Sequence, residues 1–167
     1  MKRENKHMLW IENDYSELYG MTKDVRRHNV IVTGAMTVEQ GIMHLMREPY
    51  DLVCLELLLP GSWMNKALDF SDEYVGVDIV DFIRNRQGPN KEAPIAVMST
   101  LPLEDPKYKD LCHRLGYDIQ AYLSKSDLKS QEVAKQLLPL IGLEYRERGS
   151  WFLDYIREMP KIRRNVW

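Results

Sequence analysis

The sequence predicts a doubly wound α/β domain, with a five-stranded parallel sheet layered between helices. Short apolar runs without strict alternation recur along the chain, as expected of strands covered on both faces. Between them lie segments whose apolar residues recur at helical spacing, so strand and helix alternate throughout. Four of the apolar runs close on a polar side chain, at Glu12, Glu56, Ser99 and Lys125. In open parallel sheets ligands bind beyond the carboxyl ends of the strands, which is where function is expected.

His7 to Glu12 reads as the first strand, followed directly by Asn13 and Asp14. Asp14 suits the cap of a helix with Leu18, Met21 and Val25 on one face and Arg26, Arg27 and His28 at its C-terminal end. Val30 to Thr33 is the second strand. Thr37 with Gln40 three residues on is a capping-box signature, and Val38, Ile42, Leu45 and Met46 form the stripe behind it. The third strand, within Tyr50 to Gly61, ends on Glu56 before a turn marked by Pro60 and Gly61.

Residues 62–74 read as a long loop beside the strand ends, its Trp63, Met64, Leu68 and Phe70 either tucked against the domain or forming a lid. Val75 to Arg84 resumes a helical pattern that Gly88, Pro89 and Asn90 close. Pro94 to Ser99 is the fourth strand, and a helix from about Glu104 to Leu115 stops at Gly116. Ile119 to Ser124 is the fifth strand, with Lys125 at its end. Ser126 or Asp127 suits the cap of the last helix, striped by Val133, Leu137, Leu140 and Ile141, which Pro139 kinks or shortens.

The 167 residues suit one domain, 1–142, with an extension at 143–167 that reads as helical. Its Trp151, Phe152, Tyr155, Ile156 and Met159 fall at helical spacing before a basic end of Lys161, Arg163 and Arg164. A formal charge of −2 gives no electrostatic case for nucleic acid, and that basic end is too small a patch to supply one. The charged N-terminus precedes only a short apolar run, so neither a signal peptide nor a membrane span is expected, and a cytoplasmic location is. Cys54 and Cys112 make no disulfide framework or metal spacing. His7, His28, His44 and His113 show no ligand or triad spacing and read as surface residues.

If the sheet is parallel, Glu12, Glu56, Ser99 and Lys125 meet at one edge. Two acids, a hydroxyl and an ammonium are equipment for a phosphoryl group: carboxylates to hold Mg²⁺ or accept phosphate, donors to neutralise its oxygens.

These pieces resemble the receiver domains of bacterial two-component response regulators. The resemblance rests on Leu9 to Asp14, Tyr50 to Gly61, Gly76 to Arg84, Pro94 to Thr100 and Tyr122 to Lys125, and spans roughly residues 6–142. It implies the CheY-like fold with strand order 2-1-3-4-5 and a role in signal transduction or phosphorelay rather than as an enzyme. It also implies Glu12 and Asn13 at the acidic-pair positions that bind Mg²⁺, with Leu58 offering a backbone carbonyl to the metal. Glu56 falls at the phosphoacceptor position, Ser99 and Tyr122 at the switch hydroxyl and aromatic positions, and Lys125 at the phosphate-contacting lysine.

Two departures set this chain apart. Glu56 stands where the family has Asp, and its extra methylene carries the carboxylate more than about an ångström toward Lys125, where displacements of that size cost on the order of 10²-fold in rate. Asn13 replaces a carboxylate with a neutral amide, so a hard dication binds weakly or not at all. The implied function is an atypical receiver acting through a histidine kinase or a downstream signalling protein, with self-association a further option. A receiver that still takes phosphate or Mg²⁺ is the alternative. A flavodoxin-like or phosphohydrolase enzyme is the rival from another class: the first is disfavoured because Glu12-Asn13-Asp14-Tyr15 repels phosphate where a cradling loop is needed, the second because it wants more carboxylates and an aspartyl nucleophile where this chain has Glu12.

Overall fold

The computed structural model describes residues 5–70, 74–102, 104–116, 119–126 and 128–147. Strands β1 (Lys6–Ile11), β2 (Val30–Ala35), β3 (Leu52–Glu56), β4 (Ile95–Ser99) and β5 (Ala121–Ser124) form one sheet in the order β2-β1-β3-β4-β5, with every pairing parallel. All five residues of β3 and of β4 are buried. That is why their sequences read as continuous apolar runs.

Helices cover both faces. On one face, α2 (Val38–Arg47), α4 (Val75–Asn85) and α5 (Pro106–Leu115) bury Leu9, Ile11, Val53, Leu55 and Val97 under Ile42, Leu45, Ile79, Ile83 and Leu111. On the other, α1 (Tyr15–Thr22) and α6 (Ser130–Leu137) cover Met8, Trp10, Cys54, Met98 and Leu123 with Leu18, Met21, Val133 and Leu137. The Cys54 thiol is held up by its burial, as an inert core group should be.

Caps account for where the helices begin. Asp14 accepts from the backbone N–H of Ser16 and Glu17. Thr37 accepts from Gln40 N–H, while the Gln40 side chain reaches back to Met36 N–H at 2.8 Å. The capping box is therefore present with its return bond one residue early. Asn90 is buried and ties α2 to the strand after it: its amide donates to Leu45 O and Glu48 O and accepts from Tyr50 N–H.

Several boundaries differ from the expected ones. The first helix stops at Thr22, whose hydroxyl bonds back to Leu18 O at 2.7 Å, and Arg26–His28 form a separate 3-10 turn. The stripe of Leu18, Met21 and Val25 is buried nonetheless. Residues 62–74, expected as loop, contain α3 (Trp63–Leu68), started by Ser62 accepting from Met64 N–H. Met64, Leu68 and Phe70 pack on the core, and Trp63 stays 71% exposed.

The last helix begins at Ser130, later than a cap at Ser126 would place it, and the Ser126 hydroxyl meets that of Ser124 instead. Asp127 lies outside the described residues. At Leu138–Ile141, around Pro139, the chain tightens into a 3-10 turn.

The start of the 143–167 extension is not helical. Leu143 and Tyr145 pack against the α1/α6 core, Tyr145 lies against the ring of His28, and His28 Nε2 accepts from Arg146 N–H at 2.9 Å. The aromatic stripe and basic end expected at 151–164 lie outside the described residues. No helix among the described residues is long and apolar enough to cross a membrane.

Candidate functional site

The carboxyl ends of β1, β3 and β5 converge because the sheet is parallel and β1 and β3 are neighbours. Glu12 follows β1, its N–H bonded to Ala35 O at the end of β2. Glu56 is the last residue of β3, and Leu57 N–H bonds to Met98 O beside it. Lys125 follows β5, its N–H bonded to Ser99 O at the end of β4.

Gly76 lets α4 close against this edge. A Cβ there would stand 2.5 Å from both Glu56 O and Leu57 Cα, so any side chain would push the first turn of α4 off the backbone that carries Glu56.

Lys125 is the centre. Its ammonium pairs with Glu12, with Glu17 at 2.7 Å and with Glu56 at 2.5 Å. An ammonium has three N–H donors, and three carboxylates take them. The second oxygens of the buried acids are also engaged: Glu12 Oε1 accepts from Asp14 N–H at 3.0 Å, and Glu56 Oε1 accepts from Leu58 N–H at 2.9 Å. The side chains of Lys125, Glu12 and Glu56 are 5%, 2% and 4% exposed, against 36% for Glu17. The quartet is thus a buried ion cluster with one solvent-facing member and an excess of negative charge.

Burial and the close pairing both act on the titration of its members. Burial raises Glu56 above the usual carboxylate range despite its bond to Lys125, and Glu12 beside it adds to the rise. Burial works against the charge of Lys125, but the hydrogen bonds it donates to Glu12, Glu17 and Glu56 outweigh that and raise its pKa.

Because the folded value of Glu56 lies above the unfolded one, its ionised form weighs against the folded state. Stability contributed by its protonation is complete below the ordinary value of 4.5 and is lost as pH rises through the folded value. Glu56→Gln, which removes a charge while Glu12 and Glu17 still hold Lys125, is therefore expected to raise Tm at neutral pH by roughly 2–4 °C. The advantage fades on acidification. Thermal scans across that pH range check it, and a Gln variant less stable than the parent at neutral pH would show that the Lys125 bond outweighs the burial of the charge.

The other expected site residues lie outside the quartet. Asn13 is exposed, and the hydrogen bonds that close the cluster do not involve it. Leu58 contributes its N–H, to Glu56. Ser99 is fully buried and accepts from Leu101 N–H at 3.1 Å. The Tyr122 hydroxyl donates to Cys112 O and Gly116 O, at 3.2 and 3.1 Å, clasping the end of α5.

Glu17 went unread in the sequence. Its one signal was its place in the first turn after the Asp14 cap, which puts it at the carboxyl edge of the sheet. Buried Asp24 was also missed. It bonds Arg27 at 2.6 Å and the hydroxyl of Ser130, joining the end of α1 to the start of α6.

A dication would have to displace bonds already made in this arrangement. The oxygens it would take from Glu12 and Glu56 are committed to Lys125 and to backbone N–H groups, and among the described residues no group of three His, Cys, Asp or Glu is placed to hold a metal.

No family model matches the chain, and no curated protein matches it in sequence. Solved structures do resemble it. The receiver domain of a sensor histidine kinase from Pseudomonas aeruginosa PAO1, with a magnesium ion coordinated in its active-site cleft, superposes with a TM-score of 0.64 at 20% identity, covering 83% of this chain and 98% of that one. A chemotaxis response regulator of Vibrio cholerae gives 0.63 at 15% identity over 81% and 98%. A CheY-like receiver domain from Methanospirillum hungatei JF-1 gives 0.62 at 13% over 82% and 94%. The likeness is one of fold, and the fold is the receiver fold.

Proposed function

We propose that this chain is an atypical receiver module, signalling through protein contacts and not through an acyl phosphate at Glu56. The observation that carries this reading is the saturation of Lys125. A phosphoryl group on Glu56 needs that ammonium to neutralise its oxygens, and here every donor is spent on a carboxylate. An incoming dianion would also meet the uncompensated charge of Glu12, Glu17 and nearby Asp14.

The departures at Glu56 and Asn13 point the same way. The built-in cation replaces Mg²⁺, and the domain rests in one state without phosphorylation. Tyr122 and Ser99, both engaged by backbone groups, hold the α5 side of the sheet in that state. A histidine kinase or another signalling protein is then a docking partner, not a phosphodonor.

Trp10 reports on the site, being buried on β1 two residues before Glu12. Adding beryllofluoride with Mg²⁺ is expected to leave its fluorescence without a saturable change, and acetyl phosphate to leave the intact mass unchanged. A phosphate-sized mass gain, or a saturable change in fluorescence, would make the chain a working phosphorylation switch instead.

A further inference from the structure

The sheet edge opposite the quartet carries a second concave feature. The C-terminal ends of α2 and α4 and the turn after α4 enclose a cleft of about 160 Å³, walled by Leu45, Met46, Phe82 and Ile83 and bordered by Arg86 and Lys91. Its floor is polar but satisfied, since Asn90 spends its amide on Leu45 O, Glu48 O and Tyr50 N–H. Among the described residues that line it, Arg86 and Lys91 are the charged ones. The Arg86 guanidinium is held over the Phe82 ring at 4.6 Å. Glu48, the acid at the end of α2, is turned to the Tyr50 hydroxyl. The apolar surface continues outward along α2 through Met46 and Met43, which are 62% and 45% exposed.

We propose that this cleft docks a segment of a partner protein, which inserts one aromatic side chain between α2 and α4 and sets acidic residues against Arg86 and Lys91. Size selects the occupant. Small-molecule sites run to roughly 300–1,000 Å³, whereas an apolar cavity of about 150 Å³ takes up one benzene ring. The cleft matches a single anchoring ring, the usual centre of an interaction hot spot. Charge selects its neighbours, because two cations beside an apolar lining favour carboxylates on either side of the anchor. The unbranched thioethers of Met43 and Met46 give the border an adaptable apolar surface on which a peptide backbone can lie. This docking is independent of the chemistry at Lys125.

The test is fluorescence anisotropy of a labelled peptide in which one phenylalanine sits between pairs of aspartates, run with the full chain and paired with amide chemical-shift mapping. Saturable binding below about 1 mM is expected, the range one anchor residue can reach, with shifts centred on residues 45–46 and 82–91. Alanine for the phenylalanine, or lysines for the aspartates, should each weaken binding at least about tenfold. R86E and K91E together should do the same in a chain that still unfolds cooperatively. The proposal is overturned by absence of saturation, by equal binding of the alanine peptide, by shifts centred on the quartet, or by phenylacetate binding as tightly as the peptide, which would make the occupant a small acid.

Discussion

Lys125→Met is expected to lower the unfolding free energy at neutral pH by about 3–5 kcal/mol, the cost of stranding a buried charge pair's partners. Removing the ammonium leaves Glu12 and Glu56 facing each other almost without solvent. Glu17 suffers least, being partly in water. Methionine keeps most of the volume of the lysine stem, so the loss is electrostatic and carries little cavity cost.

The pH dependence separates this from a packing defect. The pKa of Lys125 is raised, so the stability it contributes is fully present below its ordinary value of 10.5 and is lost only as pH climbs through the folded value. The difference between parent and variant should therefore hold across neutral pH. On acidification it shrinks, beginning above the ordinary carboxylate value of 4.5, because burial already raises Glu56 and removing Lys125 takes away the contact that holds it down. Urea unfolding at both conditions measures it. A loss below about 1 kcal/mol at neutral pH would place Lys125 among ordinary surface lysines, and a loss independent of pH would make its role one of packing.

The contrast between what could be read from the sequence and what could not follows from the range of the interactions. Strands and caps were legible because burial on both faces and the first-turn bonds of Asp14 and Thr37 are local properties of the chain. The meeting of Glu12, Glu56 and Lys125 was legible as soon as the sheet was taken as parallel, since topology alone carries strand ends to one edge. Glu17 was not. As a polar residue in a first turn it reads like a solvated one, and only Lys125, 108 positions away, gives it a role. Asp24 was hidden for the same reason, with Ser130 as its distant partner. Helix α3 escaped because six residues are too few to display a period, and Ser62 looked like another loop serine.

Glu56→Asp combined with Asn13→Asp is expected to turn on phosphoryl uptake that the parent lacks, by on the order of 10²-fold or more in rate from acetyl phosphate with Mg²⁺. Shortening the side chain at 56 draws the carboxylate back from Lys125, which it now contacts at 2.5 Å. That frees one N–H donor for a phosphoryl oxygen and opens space between the acid and the ammonium. The shortening alone still lacks a metal, because Glu12 remains bonded to Lys125 and to Asp14 N–H. A carboxylate at 13, on the exposed turn beside Glu12, supplies the second hard anionic ligand that a dication requires. The single Glu56→Asp variant is therefore expected to gain little, and Asn13→Asp alone nothing, while the pair gains far more than their sum, as groups acting as a unit do. Glu17 sets the remaining ceiling, since it still competes for Lys125, and Glu17→Gln in the double variant should raise uptake again. Intact mass after timed exposure to acetyl phosphate, with and without Mg²⁺, reads each step. A double variant that stays unphosphorylated although folded would mean that the block lies beyond these two positions, and the reading of a receiver silenced at Glu56 and Asn13 would fall with it.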